Sequence, residues 1–184
     1  MRKAVLAIAL LSLTGCAYNR IQTLDERVNT LKSQIEVQLQ RRADLIPNLV
    51  STVRAIAGQE QEVFTAIANA RSRLTGAIQS GDIPQMAQAN QGMTSALGRL
   101  LVISEAYPEL RSSENFRTLQ DQLEGTENRI ATARRDYNEV VGAYNTYIRR
   151  FPAVLTAKAI GAQSRPTYAA DESAQAVPTV DFSR

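Results

Sequence analysis

From Phe116 onward an apolar or small residue returns at every third or fourth position, through Leu119, Leu123, Thr126, Ile130, Ala133, Tyr137, Val140, Tyr144 and Tyr147 to Phe151. That spacing keeps the side chains on one face of an α-helix, so the stretch predicts a helix of about 40 residues, roughly 60 Å long at ~1.5 Å per residue. A helix of that length cannot bury its own stripe, and the chain must supply helices to cover it.

It does so upstream. Ile21, Leu24, Val28, Leu31 and Ile35 follow the narrow spacing of a helix paired with one neighbour. Past Ile35 the register slips to Leu39, Ala43, Ile46, Val50 and Val53, and Leu45, Leu49 and Ile56 broaden the stripe, which implies more neighbours. This predicts a first helix from about Ala17 to Ala57. Pro47 interrupts it: either the helix kinks there, the favoured reading, or Asp44 caps a new start with Pro47 in its first turn. Around Gly58 the pattern turns, although a continuous helix from Asn48 to Ser80 satisfies the spacing as well.

A second helix carries Phe64, Ile67, Ala70, Leu74 and Ala77. Ser80-Gly81-Asp82-Ile83-Pro84 then reads as a helix stop, an N-cap and a proline in the next first turn. The third helix runs to about Ala106 and ends at Tyr107-Pro108; Ser112 or Ser113 can cap the fourth, and Pro152 stops it. Nothing in the chain has strand periodicity. The expected fold is all-α: an elongated up-down-up-down bundle over residues 16–160, with two long and two shorter helices. Residues 161–184, rich in Ala, Ser, Gln, Pro and Thr, are expected to form a flexible tail. One imbalance stands out. The lower part of the fourth helix, with Val140, Val141, Tyr144, Tyr147 and Ile148, is wider than the first can cover. Either Ala153 to Ile160 folds back over it or another protein does. Tyr137, Tyr144 and Tyr147 are therefore candidates for a partner face, with ordinary core packing as the alternative.

The N-terminus has a different character. Arg2 and Lys3 precede an apolar run from Ala4 to Leu13, about the length of a signal-peptide core and half a membrane span. It ends in Leu13-Thr14-Gly15-Cys16, which resembles the bacterial lipobox. Residues 1–15 are thus expected to be a signal peptide and Cys16, the single cysteine, an acylated first residue that holds the chain on a membrane. Ala17, rather than aspartate, after the cysteine favours an outer-membrane address facing the periplasm in a double-membraned cell. Without Arg2 and Lys3 the chain has 19 basic residues against 18 acidic, interspersed, which gives no footprint for nucleic acid.

The residue inventory argues against an enzyme. With no histidine and its cysteine consumed by lipid, the chain lacks the usual Ser-His and Cys-His nucleophile systems and the Glu-x-x-His pairs of di-iron bundles. No glycine-rich phosphate loop is present, and no cofactor is expected.

Several motifs carry a family resemblance. Gln40-Arg41-Arg42-Ala43-Asp44-Leu45-Ile46-Pro47-Asn48-Leu49-Val50, Glu105-Ala106-Tyr107-Pro108-Glu109-Leu110, and Leu123-Glu124-Gly125-Thr126-Glu127-Asn128-Arg129-Ile130 followed by Ala133-Arg134-Arg135-Asp136-Tyr137-Asn138 resemble the LemA family, in order along nearly the whole mature chain. The resemblance implies a helical bacterial envelope protein with no agreed reaction. The resemblance also implies an N-terminal transmembrane helix, the anchor of many members, and the lipobox-like Leu13-Thr14-Gly15-Cys16 here departs from that pattern.

Pairing Ala17 with Phe151 in an antiparallel arrangement places Arg41 opposite Glu127 and Asp44 opposite Glu124. Arg41, Arg42, Asp44, Glu124, Glu127 and Asn128 are therefore expected to form a polar layer that sets register, against the alternative of charges lining a solvated face. The expected function is a lipid-anchored, non-catalytic scaffold or adaptor in the cell envelope, engaging another envelope protein or a second copy. A ligand-binding or carboxylate-metal bundle using Glu124 and Glu127 is the alternative.

Overall fold

The computed structural model describes residues 2–169, with side chains from residue 15 onward. Six helices make up the described chain, which contains no strand: α1 (Arg2–Arg54), α2 (Gln61–Ser80), α3 (Ile83–Ala106), α4 (Pro108–Ser112), α5 (Glu114–Tyr147) and α6 (Ala153–Ala159). The all-α expectation holds, and α2, α3 and α5 lie where periodicity placed them. The side chains of the expected signal peptide, apart from Gly15, lie outside the described set, as do residues 170–184 of the expected tail.

The structure decides both open points on the first helix. α1 passes through Pro47 without a break and ends at Arg54, and a turn around Gly58 separates it from α2. Proline removes one backbone donor from a helix interior. The helix survives because Ile46 and Leu49, on either side, are buried and held by packing. Across the turn the Arg54 guanidinium lies 5.0 Å from the Phe64 ring centroid, an attraction that ties the end of α1 to the start of α2.

The Ser80–Pro84 boundary is built as its residues suggest. Gly81 adopts φ 66°, a left-handed conformation suited to glycine, and its N–H donates to the Ile78 carbonyl at 3.1 Å. Asp82 follows in an extended conformation, and its carboxylate accepts from Gln85 Nε2 at 2.8 Å rather than from a backbone cap. At the start of α5 it is Ser113 whose Oγ faces the Phe116 N–H, at 3.5 Å. α5 stops at Tyr147, four residues before Phe151, because the turn toward Pro152 begins earlier than the apolar spacing alone indicates.

The chain divides into two compact units. The first takes the residues up to Asp44 together with Asp121–Thr167, and the second takes Leu45–Gln120 and the chain from Tyr168. In the first, α1 buries Ile21, Leu24, Val28, Ile35 and Leu39, and α5 buries Ile130, Tyr137, Val141 and Tyr144. In the second, α2 and α3 form a helical hairpin around Phe64, Ile67, Leu74, Met86, Met93 and Leu100.

Within the first unit the wide face of α5 is covered by the chain itself. α6 buries Ala153, Thr156 and Ala157, and Ile160 to Pro166 line a cleft with Tyr144, so the chain after Pro152 returns against α5. After a turn at residues 160–161 the described chain continues without helix or strand to residue 169. Side-chain hydrogen bonds, invisible to a count of apolar residues, hold that course in place.

Candidate functional site

Cys16 is exposed on α1, and Ala17 beside it is already buried. Among the described residues Ala17 is the first of the buried stripe, and a bulky group on the exposed Cys16 would not enter the core.

About seven turns further along, α1 carries the one cation that is buried among its described residues. Ile35, Leu39, Ile46, Leu49 and Val53 line the covered face, and Arg42 stands between Leu39 and Ile46 where the spacing calls for an apolar side chain. Its side chain is 5% exposed, and its guanidinium Nη1 bonds the Glu127 carboxylate of α5, whose side chain is 45% exposed. Thr126, next to Glu127, is buried, with its hydroxyl donating to the Leu123 carbonyl at 2.7 Å. The antiparallel register inferred from the sequence is thus correct to one residue, but the partner of Glu127 is Arg42 and not Arg41. The reason is angular: each residue turns a helix by about 100°, which puts Arg42 on the covered face and Arg41 in solvent.

The expected six-residue layer contracts accordingly. Asp44 accepts from Gln40 Nε2 on its own helix at 2.8 Å instead of meeting Glu124. Arg41, Glu124 and Asn128 are exposed. Because the Glu127 carboxylate is engaged by Arg42 and Glu124 faces solvent, the two do not form a ligand pair. Among the described residues, no three of His, Cys, Asp and Glu come together as metal ligands.

The tyrosines also need correcting. Tyr137 and Tyr144 are buried within their own unit and Tyr147 is half-buried, so Tyr137 and Tyr144 do not face a partner. The residues beyond α6 account for part of this. The Tyr137 hydroxyl donates to the Pro166 carbonyl at 2.9 Å. Asn145 grips the Arg165 backbone at two points, its Nδ2 donating to the Arg165 carbonyl and its Oδ1 accepting the Arg165 N–H, both at 2.8 Å. The Arg165 side chain reaches Asp25 of α1, with Nε and Nη2 at 3.0 and 2.7 Å from Oδ1. Beyond it, in the second unit, the buried Tyr168 donates to the Met86 carbonyl of α3 at 3.4 Å.

The electrostatics follow from this geometry. The hydrogen bond to Asp25 raises the Arg165 pKa against an opposing effect of burial. Burial pushes the Tyr137 phenol above its ordinary value, and it does the same to Tyr144 with the Asp25 charge adding to it; Arg165 opposes both shifts. Sequence reasoning missed this strap. The available signal was the repeated Tyr-Asn dipeptide at Tyr137 and Tyr144: Asn145 supplies the reciprocal amide contact, and Tyr137 supplies the hydroxyl contact.

Comparison with known proteins gives a consistent result. The LemA family model matches residues 31–182. Two curated relatives in Paramagnetospirillum magneticum, magnetosome protein MamQ 1 and MamQ 2, are each 28% identical over 178 residues, covering 81% of this chain. Magnetosome protein MamQ of Magnetospirillum gryphiswaldense is 28% identical over 177 residues, 80% of this chain. The chain spans 65% of the length of each of these relatives.

Proposed function

The chain belongs to the LemA family, and on that premise we propose that it is a membrane-associated helical protein, held on the bilayer through acylated Cys16, that serves as a non-catalytic scaffold or adaptor in the cell envelope. The observation that carries the reading is the transition at Cys16. A leader of signal-peptide character runs into an exposed cysteine, and the next residue, Ala17, is already buried. Acylation there attaches the chain without disturbing its core, and several acyl chains, at about 0.8 kcal/mol for each buried methylene, make the attachment close to permanent. Kinship with proteins named for the magnetosome supports membrane association. No helix among the described residues is long and apolar enough to cross a membrane.

The scaffold role draws on the residue inventory. A body without histidine, whose buried Arg42 is committed to an ion pair, offers helical surface for binding. The partner is another envelope protein or a second copy. The outer membrane, with the body in the periplasm, is the proposed address in a double-membraned cell, since Ala17 follows the cysteine. Intact-mass analysis of protein from its native host tests the anchor: a chain beginning at Cys16 and carrying palmitate-sized additions is expected, and a full-length chain with an unmodified thiol would refute it. Crosslinking in the intact envelope tests the scaffold, which requires one partner in fixed stoichiometry.

A further inference from the structure

The Cys16 end of the first unit carries an apolar surface that its own chain leaves uncovered. Phe151 is 81% exposed and Leu155 59%, and Tyr18 and Ile160 are also exposed. Tyr144 lines a cleft with Ile21, Gln22 and Asp25 of α1, and α5 ends three residues later, so the turn that carries Phe151 follows toward the end of α1 that holds Tyr18 and Cys16. Ile160 belongs to the same end, lining a cleft with Ile21 and Gln22 of α1. On α6, packing fixes which side faces out. With Ala153, Thr156 and Ala157 buried, Leu155 and Lys158, three residues apart on α6, turn outward together, and Phe151 is exposed two residues before the helix starts.

The segment that carries Phe151, Leu155 and Ile160 has charge of one sign, and the Asp25 carboxylate of α1 beside it is engaged by Arg165. From Val140 through Ala169 there is no acidic residue, and the bases are Arg149, Arg150, Lys158 and Arg165. Arg165 is paired with Asp25 and Arg149 donates to the Asn145 carbonyl, while Arg150 and Lys158 are exposed. An exposed aromatic and aliphatic cluster flanked by basic side chains is the composition of a surface that lies in the headgroup region of an anionic bilayer. A second copy fits poorly, because a two-fold interface would set Arg150 and Lys158 against their own counterparts.

We infer that this end of the first unit is a membrane-contact surface, in which Phe151 and Leu155 enter the bilayer interface and Arg150 and Lys158 engage anionic lipid headgroups. The inference rests on the proposed anchor at Cys16, which sits beside the surface, and adds that the body docks on the membrane rather than standing free of it.

The natural absence of tryptophan makes the test direct. The full chain with Leu155→Trp, an exposed position, is reconstituted into phosphatidylcholine–phosphatidylglycerol vesicles with brominated acyl chains. Val37→Trp, exposed on α1 about 30 Å along the helix from Cys16, serves as the comparison. The expected result is blue-shifted emission at position 155, quenched by bromine, with the tryptophan at position 37 unquenched. Adding Arg150→Gln and Lys158→Gln should lower the docked-to-free ratio on these vesicles about fivefold for each charge, with a smaller change on phosphatidylcholine alone. Vesicle flotation separates the two ideas. Flotation with an unquenched tryptophan at 155 overturns the contact surface and leaves the anchor standing, and failure to float overturns both. A blue shift without bromine quenching means that protein covers the face, and equal quenching at both positions means that contact is not local; either result overturns the inference.

Discussion

Removing Glu127 should cost the fold more than removing Arg42, although the two form one ion pair. Glu127→Ala leaves a guanidinium on the covered face of α1, between Leu39 and Ile46, with 5% of its side chain exposed. Stripping one partner from a fully buried pair costs about 3–5 kcal/mol, whereas an exposed pair contributes at most about 1. Because the Glu127 side chain is 45% exposed, water can reach the site from that side and screen the orphaned charge. The expected loss is therefore intermediate, about 2 kcal/mol. Arg42→Leu is different: it fills a seam position with an apolar side chain, and the Glu127 carboxylate it leaves behind can hydrate. A change within about 1 kcal/mol of zero is expected, and stabilisation is allowed. The double variant should match Arg42→Leu, giving a coupling of about 2 kcal/mol across the cycle. Urea unfolding followed by helical circular dichroism measures each variant, and in thermal melts Glu127→Ala should fall by about 4–8 °C. Equal losses for the two single variants, or a Glu127→Ala variant within about 0.5 kcal/mol of the native chain, would refute the claim that Arg42 is held in a low-dielectric seam by its partner.

Other positions give smaller effects. Asp25→Asn removes the charge beside Arg165; as both side chains are partly exposed, the loss should be about 0.5–1 kcal/mol in low salt and should shrink in high salt, as melting in both conditions will show. Burial raises the Tyr137 and Tyr144 pKa values, so the stability linked to them is complete below the ordinary tyrosine value of about 10 and is lost as pH rises through the higher folded values. Tyr137→Phe should flatten that alkaline loss in a pH series of melts, while costing about 1 kcal/mol at neutral pH through the lost bond to Pro166. Gly81→Ala forces a side chain into the left-handed region and should lower stability by about 1–2 kcal/mol in urea titration, with the helical spectrum unchanged.

How far the fold was legible differs from element to element. The end of α2 at Gly81 and the start of α3 at Asp82-Ile83-Pro84 could be read because each residue there has a conformational preference that acts locally. The antiparallel register was recovered to one residue because a stripe of three-four spacing permits few alignments. Choosing Arg42 over Arg41 required the angular phase of the covered face, and the slip assumed after Ile35 obscured it. α4 and the early end of α5 were missed, since short turns flanked by proline leave little trace in a pattern of apolar residues. The candidate polar layer shrank to one pair because side chains on exposed faces, such as Asp44, took closer partners on their own helix.

By itself the sequence determined that the chain is helical and where most helices begin and end. These are consequences of backbone preference and of a periodicity confined to neighbouring residues. Only the tertiary structure decided that α1 continues through Pro47, that Arg42 is the buried cation, and that Asn145, Tyr137 and Asp25 hold the segment around Arg165. Those outcomes depend on groups far apart in the chain packing together or meeting at hydrogen-bond distance, where buried polar groups find partners that no local pattern specifies.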